Sequence, residues 1–325
     1  MGRMLSMADK PWITRYRMRS RGLLNAATRR RDFEGALVRV GEGFGCIHPW
    51  PELGDPPLDR CLVDLAGPRK WPIVRRALRC AAMDAMGRAA GVSLFEDLEV
   101  PESHATLTTR TRESLEAAQA AGFSVVKLKA GIHPEQERVF LDAMAAEFPS
   151  LSWRLDFNEV PEPDEAAAFL VGLDPHTRSA IDFVEDPCPY SESTWNDLRE
   201  RAGVALAVDR EAAPHTSAAD VMVVKPAVDE PLLLAEAALA RSQRIVVTSS
   251  MDHPLGQAFA ALEAACLAAR FPGHVGVCGL QTHHLFESDP FIEVMGPWTP
   301  GFHAPLGTGL GFDDLLDALP WTRHF

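Results

Sequence analysis

Six residues in the middle of the chain could do chemistry together: Lys127, Lys129, Asp156, Glu185, Asp209 and Lys225. Each ends a short apolar run. Val125-Val126 precedes the two lysines, Trp153-Arg154-Leu155 precedes Asp156, and Ile181 to Val184 lead into Glu185. Val204 to Val208 lead into Asp209, and Val221 to Val224 into Lys225. Runs of this kind read as buried parallel strands, and a parallel α/β barrel gathers its reactive side chains at the carboxyl ends of its strands. Three carboxylates from three successive strands can hold one hard divalent cation. Lysines from flanking strands can face each other across it. That combination suits removal of a proton from a carbon next to a carboxylate.

Taken singly, none of these residues is informative. A Lys-x-Lys pair is usually solvated, and an acid after an apolar run is commonly a helix N-cap in a βα loop. The joint spacing carries the reading, because about one βα unit separates each candidate from the next. Asp209 and Lys225 are the exception, with only 16 positions between them, which leaves room for an abbreviated helix. Strand side chains alternate faces, so Lys127 and Lys129 point one way together, as do Asp156 and Asn158.

The elements that must position these residues form two zones. Candidate strands lie near 104–109, 124–129, 152–156, 181–185, 204–208, 221–225, 244–249 and 274–279, with alanine-rich helical stretches such as 113–121, 164–170 and 256–269 between many of them. Eight strands with intervening helices describe a (β/α)8-type barrel. Ahead of it, Arg15, Arg17, Arg19 and Arg21 alternate as on the solvated face of a strand, and Ala36 to Val40 read as a second strand. The Gly- and Pro-rich segment 41–57 is expected to be loop. Apolar residues at helical spacing from Val74 to Ala90 predict a helix. Strands followed by helices suggest an α+β cap over residues 1–100, a barrel over 101–299 and a tail over 300–325.

Composition narrows the partners. The chain has 45 acidic and 32 basic residues, a net charge of −13, which disfavours general nucleic-acid or anionic-membrane binding. Nothing approaches the 18 or more uninterrupted apolar residues of a membrane span. The basic N-terminus lacks the apolar stretch of a secretory signal. The six cysteines never form a CxxC pair, so reduced, buried thiols in a cytoplasmic protein are expected. His253, His283, His284 and His303 lack ligand spacing and read as ordinary polar groups. Gly41-Glu42-Gly43-Phe44-Gly45 is not followed by the Gly-Lys-Ser/Thr of a phosphate loop.

These motifs resemble the short o-succinylbenzoate synthase branch of the enolase superfamily over nearly the whole chain. The resemblance is carried by Val126-Lys127-Leu128-Lys129, Arg154-Leu155-Asp156-Phe157-Asn158, Phe183-Val184-Glu185-Asp186-Pro187-Cys188 and Val223-Val224-Lys225-Pro226. Thr248-Ser249-Ser250, Cys278-Gly279-Leu280, the cap segments Arg29 to Gly35 and Gly43-Phe44-Gly45, and the tail Gly307-Thr308-Gly309-Leu310-Gly311 extend it. It implies a modified (β/α)7β barrel with a capping domain. Asp156, Glu185 and Asp209 would bind Mg²⁺, with Mn²⁺ able to substitute, and the ion would hold a substrate carboxylate. Lys129 would take the α-proton, Lys225 would stabilise the resulting charge, and Lys127 would support both. Arg154, Asn158, Ser249, Ser250 and Gly279 would contact or orient the substrate.

The implied reaction is the dehydration of 2-succinyl-6-hydroxy-2,4-cyclohexadiene-1-carboxylate to 2-succinylbenzoate, a step of menaquinone biosynthesis. An N-succinylamino-acid racemase or dipeptide epimerase would use the same residues, and a barrel serving only as a binding scaffold is the non-enzymatic reading. Specificity would lie in loops 22–31 and 43–55. Three positions depart from the family pattern: Arg210 follows Asp209, the stretch from Asp209 to Lys225 is short, and Cys46 stands where an acid is usual. Alternation is expected to turn Arg210 away from the barrel mouth. Oligomeric state is not legible.

Overall fold

A computed structural model describes residues 10–24, 28–209 and 216–324. The N-terminal sheet is antiparallel, formed by β1 (Trp12–Arg19), β2 (Asp32–Val40) and β3 (Gly43–Ile47). Arg15, Arg17 and Arg19 of β1 face solvent and pair with Asp59, Glu34 and Asp32, while Ile13 and Met18 are buried. Helices α1 (Leu58–Ala66) and α2 (Pro72–Ala90) cover the sheet. Ala36, Val38 and Ile47 pack there against Leu62, Leu65 and Val74.

Segment 41–57 is not all loop. Gly43–Ile47 pairs with β2 from Val40↔Gly43 to Ala36↔Ile47. A Cβ on Gly43 or Gly45 would collide with the α2 backbone at Ala81 and Ala77. These glycines therefore let a helix lie directly on a strand, and are not turn residues.

The second sheet is parallel, with seven neighbouring strands: β4 (Ala105–Leu107), β5 (Val125–Lys129), β6 (Ser152–Asp156), β7 (Ile181–Glu185), β8 (Leu206–Val208), β9 (Val221–Val224) and β10 (Arg244–Val247). Residues 275–279 close it. Val275 and Gly279 bridge to Ile245 and Thr248 on one side, and Cys278 bridges to Ser103 on the other. The connecting helices are α3 (Arg112–Ala120), α4 (Pro134–Glu147), α5 (Pro163–Val171), α6 (Pro175–Ser179), α7 (Glu192–Ala202), α8 (Pro231–Leu239) and α9 (Pro254–Arg270). Among the described residues no helix separates β8 from β9. No helix among the described residues is long and apolar enough to cross a membrane. All six cysteines are free, and five are buried.

After the closing segment the chain passes α10 (Pro290–Val294) and α11 (Asp313–Asp317), then returns to the first sheet, where β11 (Thr322–Arg323) pairs with β1. Asp84 on α2 anchors this return. Its fully buried carboxylate accepts from the backbone N–H of Leu310 at 2.7 Å, from that of Phe44 at 2.9 Å and from Arg88 at 2.6 Å. Arg88 in turn binds Asp313 and the Gly311 carbonyl.

A second polar cluster lies in the seam between cap and barrel. The Tyr16 hydroxyl is 2.8 Å from His48 Nδ1 and 3.3 Å from Cys46 Sγ, and the Tyr16 ring packs on His253. Asp252 is buried in the same seam, and its Oδ1 has no hydrogen-bond partner. Burial pushes its carboxyl up to about 7. An acid whose folded-state value is raised contributes stability that is present below its ordinary value of about 4 and lost as pH rises through 7. Asp252→Asn should therefore melt progressively higher than wild type as pH rises from 4 to 7, with a plateau above. The plateau gain is on the order of a few kcal/mol. A melting-temperature difference that stays flat with pH would rule this account out.

Candidate active site

Strand register brings the central residues together. Lys129 pairs with Asp156, and Asp156 with Glu185, across β5, β6 and β7. In parallel neighbours such residues share a face, so all three point into the barrel mouth at one level. Lys127 lies one layer deeper and reaches up: its Nζ is 2.6 and 2.7 Å from the two Glu185 oxygens and 3.1 Å from Asp156 Oδ2. Lys129 Nζ is 3.0 Å from the same Asp156 oxygen. Lys225, just beyond β9, donates to Asp209, just beyond β8. In sheet order β9 lies four strands from β5, which in a closed eight-membered ring is the far side. The two outer lysines thus approach the carboxylates from opposite walls.

Crowding of buried charge governs the electrostatics. Burial is the largest influence on Asp156, Glu185, Asp209, Lys127 and Lys225 and opposes ionisation. At Asp156 it is overcome by Lys127 and Lys129, which hold the carboxyl below its usual range. Glu185 is pushed up to about 7 by burial, with Lys127 opposing and the Asp156 and Asp209 carboxylates adding to the rise. Lys127 and Lys225, though buried, are held above the ordinary lysine value by the surrounding carboxylates. His104, deeper in the barrel, is lowered by burial and then by Arg154 and Lys127, so it is neutral.

The site is suited to a cation. Glu185, Asp186 and Asp209 present carboxylate oxygens within 4.8 Å of one another, and Asp209 Oδ1 is buried with no hydrogen-bond partner. An orphaned buried carboxylate oxygen is costly unless something positive meets it. Among the described residues, six acidic side chains (Asp55, Asp156, Glu159, Asp186, Asp209, Asp229) line the cavity against four basic ones (Arg110, Lys127, Lys129, Lys225). This excess, all oxygen donors, fits a hard divalent ion.

The trio closest to one another differs from the one expected from sequence. Asp156 is occupied by Lys127, Lys129 and the Asn158 amide, and Asp186 stands in its place beside Glu185 and Asp209. Strand alternation would send Asp186 away from the mouth, but its φ of 45° ends the extended backbone there and breaks the alternation. Aspartate tolerates that left-handed conformation better than most residues. Asn158 (φ 50°), Glu159 (φ 58°) and Met251 (φ 49°) are left-handed at the same rim, a clustering typical of functional sites.

Comparison with known proteins agrees with this architecture. Residues 11–87 match the family described as O-succinylbenzoate synthase, N-terminal domain, and residues 110–230 match Enolase C-terminal domain-like. The o-succinylbenzoate synthase of Bdellovibrio bacteriovorus is 32% identical over 314 residues, covering 92% of this chain and 93% of that protein. That of Pasteurella multocida is 26% identical over 309 residues, covering 84% and 87%. The chain belongs to the o-succinylbenzoate synthase branch of the enolase superfamily. It is an enzyme of lyase type with a modified (β/α)7β barrel and an α+β cap. Among solved structures, a dipeptide epimerase from Enterococcus faecalis V583 complexed with Mg and the dipeptide L-Leu-L-Tyr has a TM-score of 0.79 at 16% identity, covering 93% of this chain and 98% of that one. A muconate lactonizing enzyme from Pseudomonas fluorescens has a TM-score of 0.76 at 15% identity, covering 95% and 96%.

In this member of the branch the cap closes the barrel mouth into a cavity of about 930 Å³. Leu24, Trp50, Leu53 and Asp55 come from the cap; Ile132, Tyr190 and Met251 come from barrel loops. The Trp50 indole donates to the Ser250 carbonyl at 2.7 Å, which ties the cap loop to the rim. Asn158, Ser249, Ser250 and Gly279 all line the cavity. The Ser249 hydroxyl is 2.6 Å from that of Thr282. A Cβ at Gly279 would strike His104 and Thr248, so that wall needs glycine.

Arg154 does not join them. It is 1% exposed, and its guanidinium is engaged below the site by Asp182 at 2.7 Å, the Val277 carbonyl at 2.8 Å and His104 at 2.8 Å. Two positions back from Asp156 on the same strand face, it lies one layer deeper, beneath the residues that line the cavity. Arg210 lies outside the described residues. Trp50 and Asp55 fall in loop 43–55 without having been singled out there, and His104 and Asp229 line the cavity with no motif of their own to mark them.

Proposed function

We propose that this chain is an o-succinylbenzoate synthase, converting 2-succinyl-6-hydroxy-2,4-cyclohexadiene-1-carboxylate to 2-succinylbenzoate and water in the cytoplasm, within menaquinone biosynthesis. The observation that carries the reading is the placement of Lys129 and Lys225 on opposite walls of one acidic cavity. Mg²⁺ would be held by Glu185 and Asp209 together with Asp186 or Asp156, and when bound it would neutralise the substrate carboxylate and the charge that develops there. Lys129, as a neutral amine, takes the proton from the carbon bearing the carboxylate. The C–H electron pair completes the aromatic ring as the C–O bond at the adjacent carbon breaks, and Lys129 returns its proton to the departing hydroxyl, which leaves as water. Lys225 faces the opposite side as a cation and offsets the negative charge of the transition state. Lys127 holds Glu185 and Asp156 in place. Ser249, Ser250 and Gly279 border the part of the cavity assigned to the succinyl arm. The apolar cap residues Leu24, Trp50 and Leu53 exclude water from the ring. In this reading residues 1–100 act as cap, 101–299 as barrel and 300–325 as a strap between them, and the partner is a small carboxylate, not a nucleic acid or a membrane.

The same two lysines would exchange an α-proton from either face of an N-succinyl amino acid or a dipeptide. Side-by-side assays decide between the reactions: dehydration followed by the absorbance of the aromatic product, and racemisation of N-succinyl amino acids and dipeptides followed by polarimetry. We expect the dehydration kcat/KM to be the larger. Racemisation alone, without dehydration, would overturn the proposal.

A further inference from the structure

We propose that Arg76, on cap helix α2, is a positioning residue for Lys225; this rests on the proposed role of Lys225 in turnover. Arg76 is 3% exposed although it belongs to the cap. All three of its nitrogens are engaged by barrel groups: Nε donates to the Pro226 carbonyl at 3.0 Å, and the two terminal nitrogens to Glu230 at 3.0 Å and Glu263 at 2.6 Å. Its guanidinium also lies 5.4 Å from the Phe259 ring centroid.

Two of those partners bracket the turn that follows the lysine. Pro226 is the residue after Lys225, and Glu230 is the N-cap of α8. Between them Asp229 closes the turn: its Oδ2 accepts from the Lys225 N–H at 2.7 Å, and its own N–H returns to the Lys225 carbonyl at 2.8 Å. The turn that follows Lys225 is therefore gripped from within by Asp229 and from outside by a guanidinium in the other domain. The third partner, Glu263 on α9, supplies a half-buried counter-charge at 13% exposure, so the planar fork is held from three directions. Docking of the cap thus sets the position of a barrel lysine, not only the closure of the cavity. No barrel residue reaches the Pro226 carbonyl in place of Arg76 among the hydrogen bonds of the described residues.

The test compares wild type with Arg76→Met, Arg76→Lys and the charge-neutral pair Arg76→Gln with Glu263→Gln, the last chosen because it leaves no unpaired acid on α9. We expect the Met variant and the neutral pair to lose roughly a hundredfold in kcat, the cost of a misplaced reactive group, with KM changed by less than about threefold. Arg76→Lys should recover part of that loss. Hydrogen exchange of the full chain should show faster exchange across 225–230, with β5 to β7 still protected. A neutral pair that keeps its kcat within about threefold, or a kcat loss with undisturbed exchange across 225–230, overturns the inference. Should wild type fail to dehydrate the cyclohexadiene, the proposed function falls, and the exchange data still decide whether Arg76 holds the Lys225 turn.

Discussion

Lys129→Ala is expected to abolish dehydration, by about 10³-fold or more, while the protein melts close to wild type. The large kinetic loss follows from asking one amine both to take the α-proton and to protonate the leaving hydroxyl. The small structural cost follows from its surroundings. The Lys129 side chain is 27% exposed, and its partner Asp156 keeps a second cation, Lys127, at 3.1 Å. Removing Lys129 therefore orphans no buried carboxylate. Lys127 is different: at 13% exposure it contacts both oxygens of Glu185 as well as Asp156, so its loss would strand buried charge and lower stability. Lys225→Ala should also cost activity severely, by about 3–4 kcal/mol in barrier, through the loss of one preorganised charge. Solvent-deuterium exchange at the α-carbon of an N-succinyl amino acid probe separates the two outer lysines. Exchange that persists without Lys129 but vanishes without Lys225 would reverse their assignment.

The second large effect concerns the metal. Chelation should remove all turnover, and either Mg²⁺ or Mn²⁺ should restore it, since every candidate ligand is a carboxylate oxygen. Asp209→Asn should eliminate cation binding in a calorimetric titration, because the partnerless Asp209 Oδ1 is the oxygen with no competing contact. Asp186→Asn and Asp156→Asn then distinguish the two possible third ligands. Weak binding in the Asp186 variant and near-normal binding in the Asp156 variant would favour the trio that lies within 4.8 Å. The opposite result would mean that Asp156 leaves Lys127 and Lys129 when the ion arrives. Undiminished turnover by metal-free protein would end the metal-dependent account.

Much of the site was legible because it is made of strand ends. Lys127, Lys129, Asp156 and Glu185 sit on strands whose apolar runs are visible in the chain and whose pairing is in register, so alternation alone aims them at one mouth. The reading failed where alternation failed. Asp186 was passed over because a left-handed residue reverses its direction, and alternation, which gives a side chain's face but not its depth, could not show that Arg154 lies beneath the cavity. The glycines of β3 were taken for loop residues because the α2 backbone that demands them is more than thirty positions away.

Sequence alone determined the order of the barrel strands, which lysines and carboxylates end them, and an acidic balance that disfavours a polyanionic partner. These are local properties: a strand's apolar run, its two-residue period and the charge at its end are written in consecutive residues. Only the tertiary structure decided which carboxylates lie together, which arginine is buried under the site, and that a cap residue, Arg76, reaches the turn after Lys225. Each of these depends on contacts between segments 23 to 150 positions apart, and a linear pattern carries no distance across the fold.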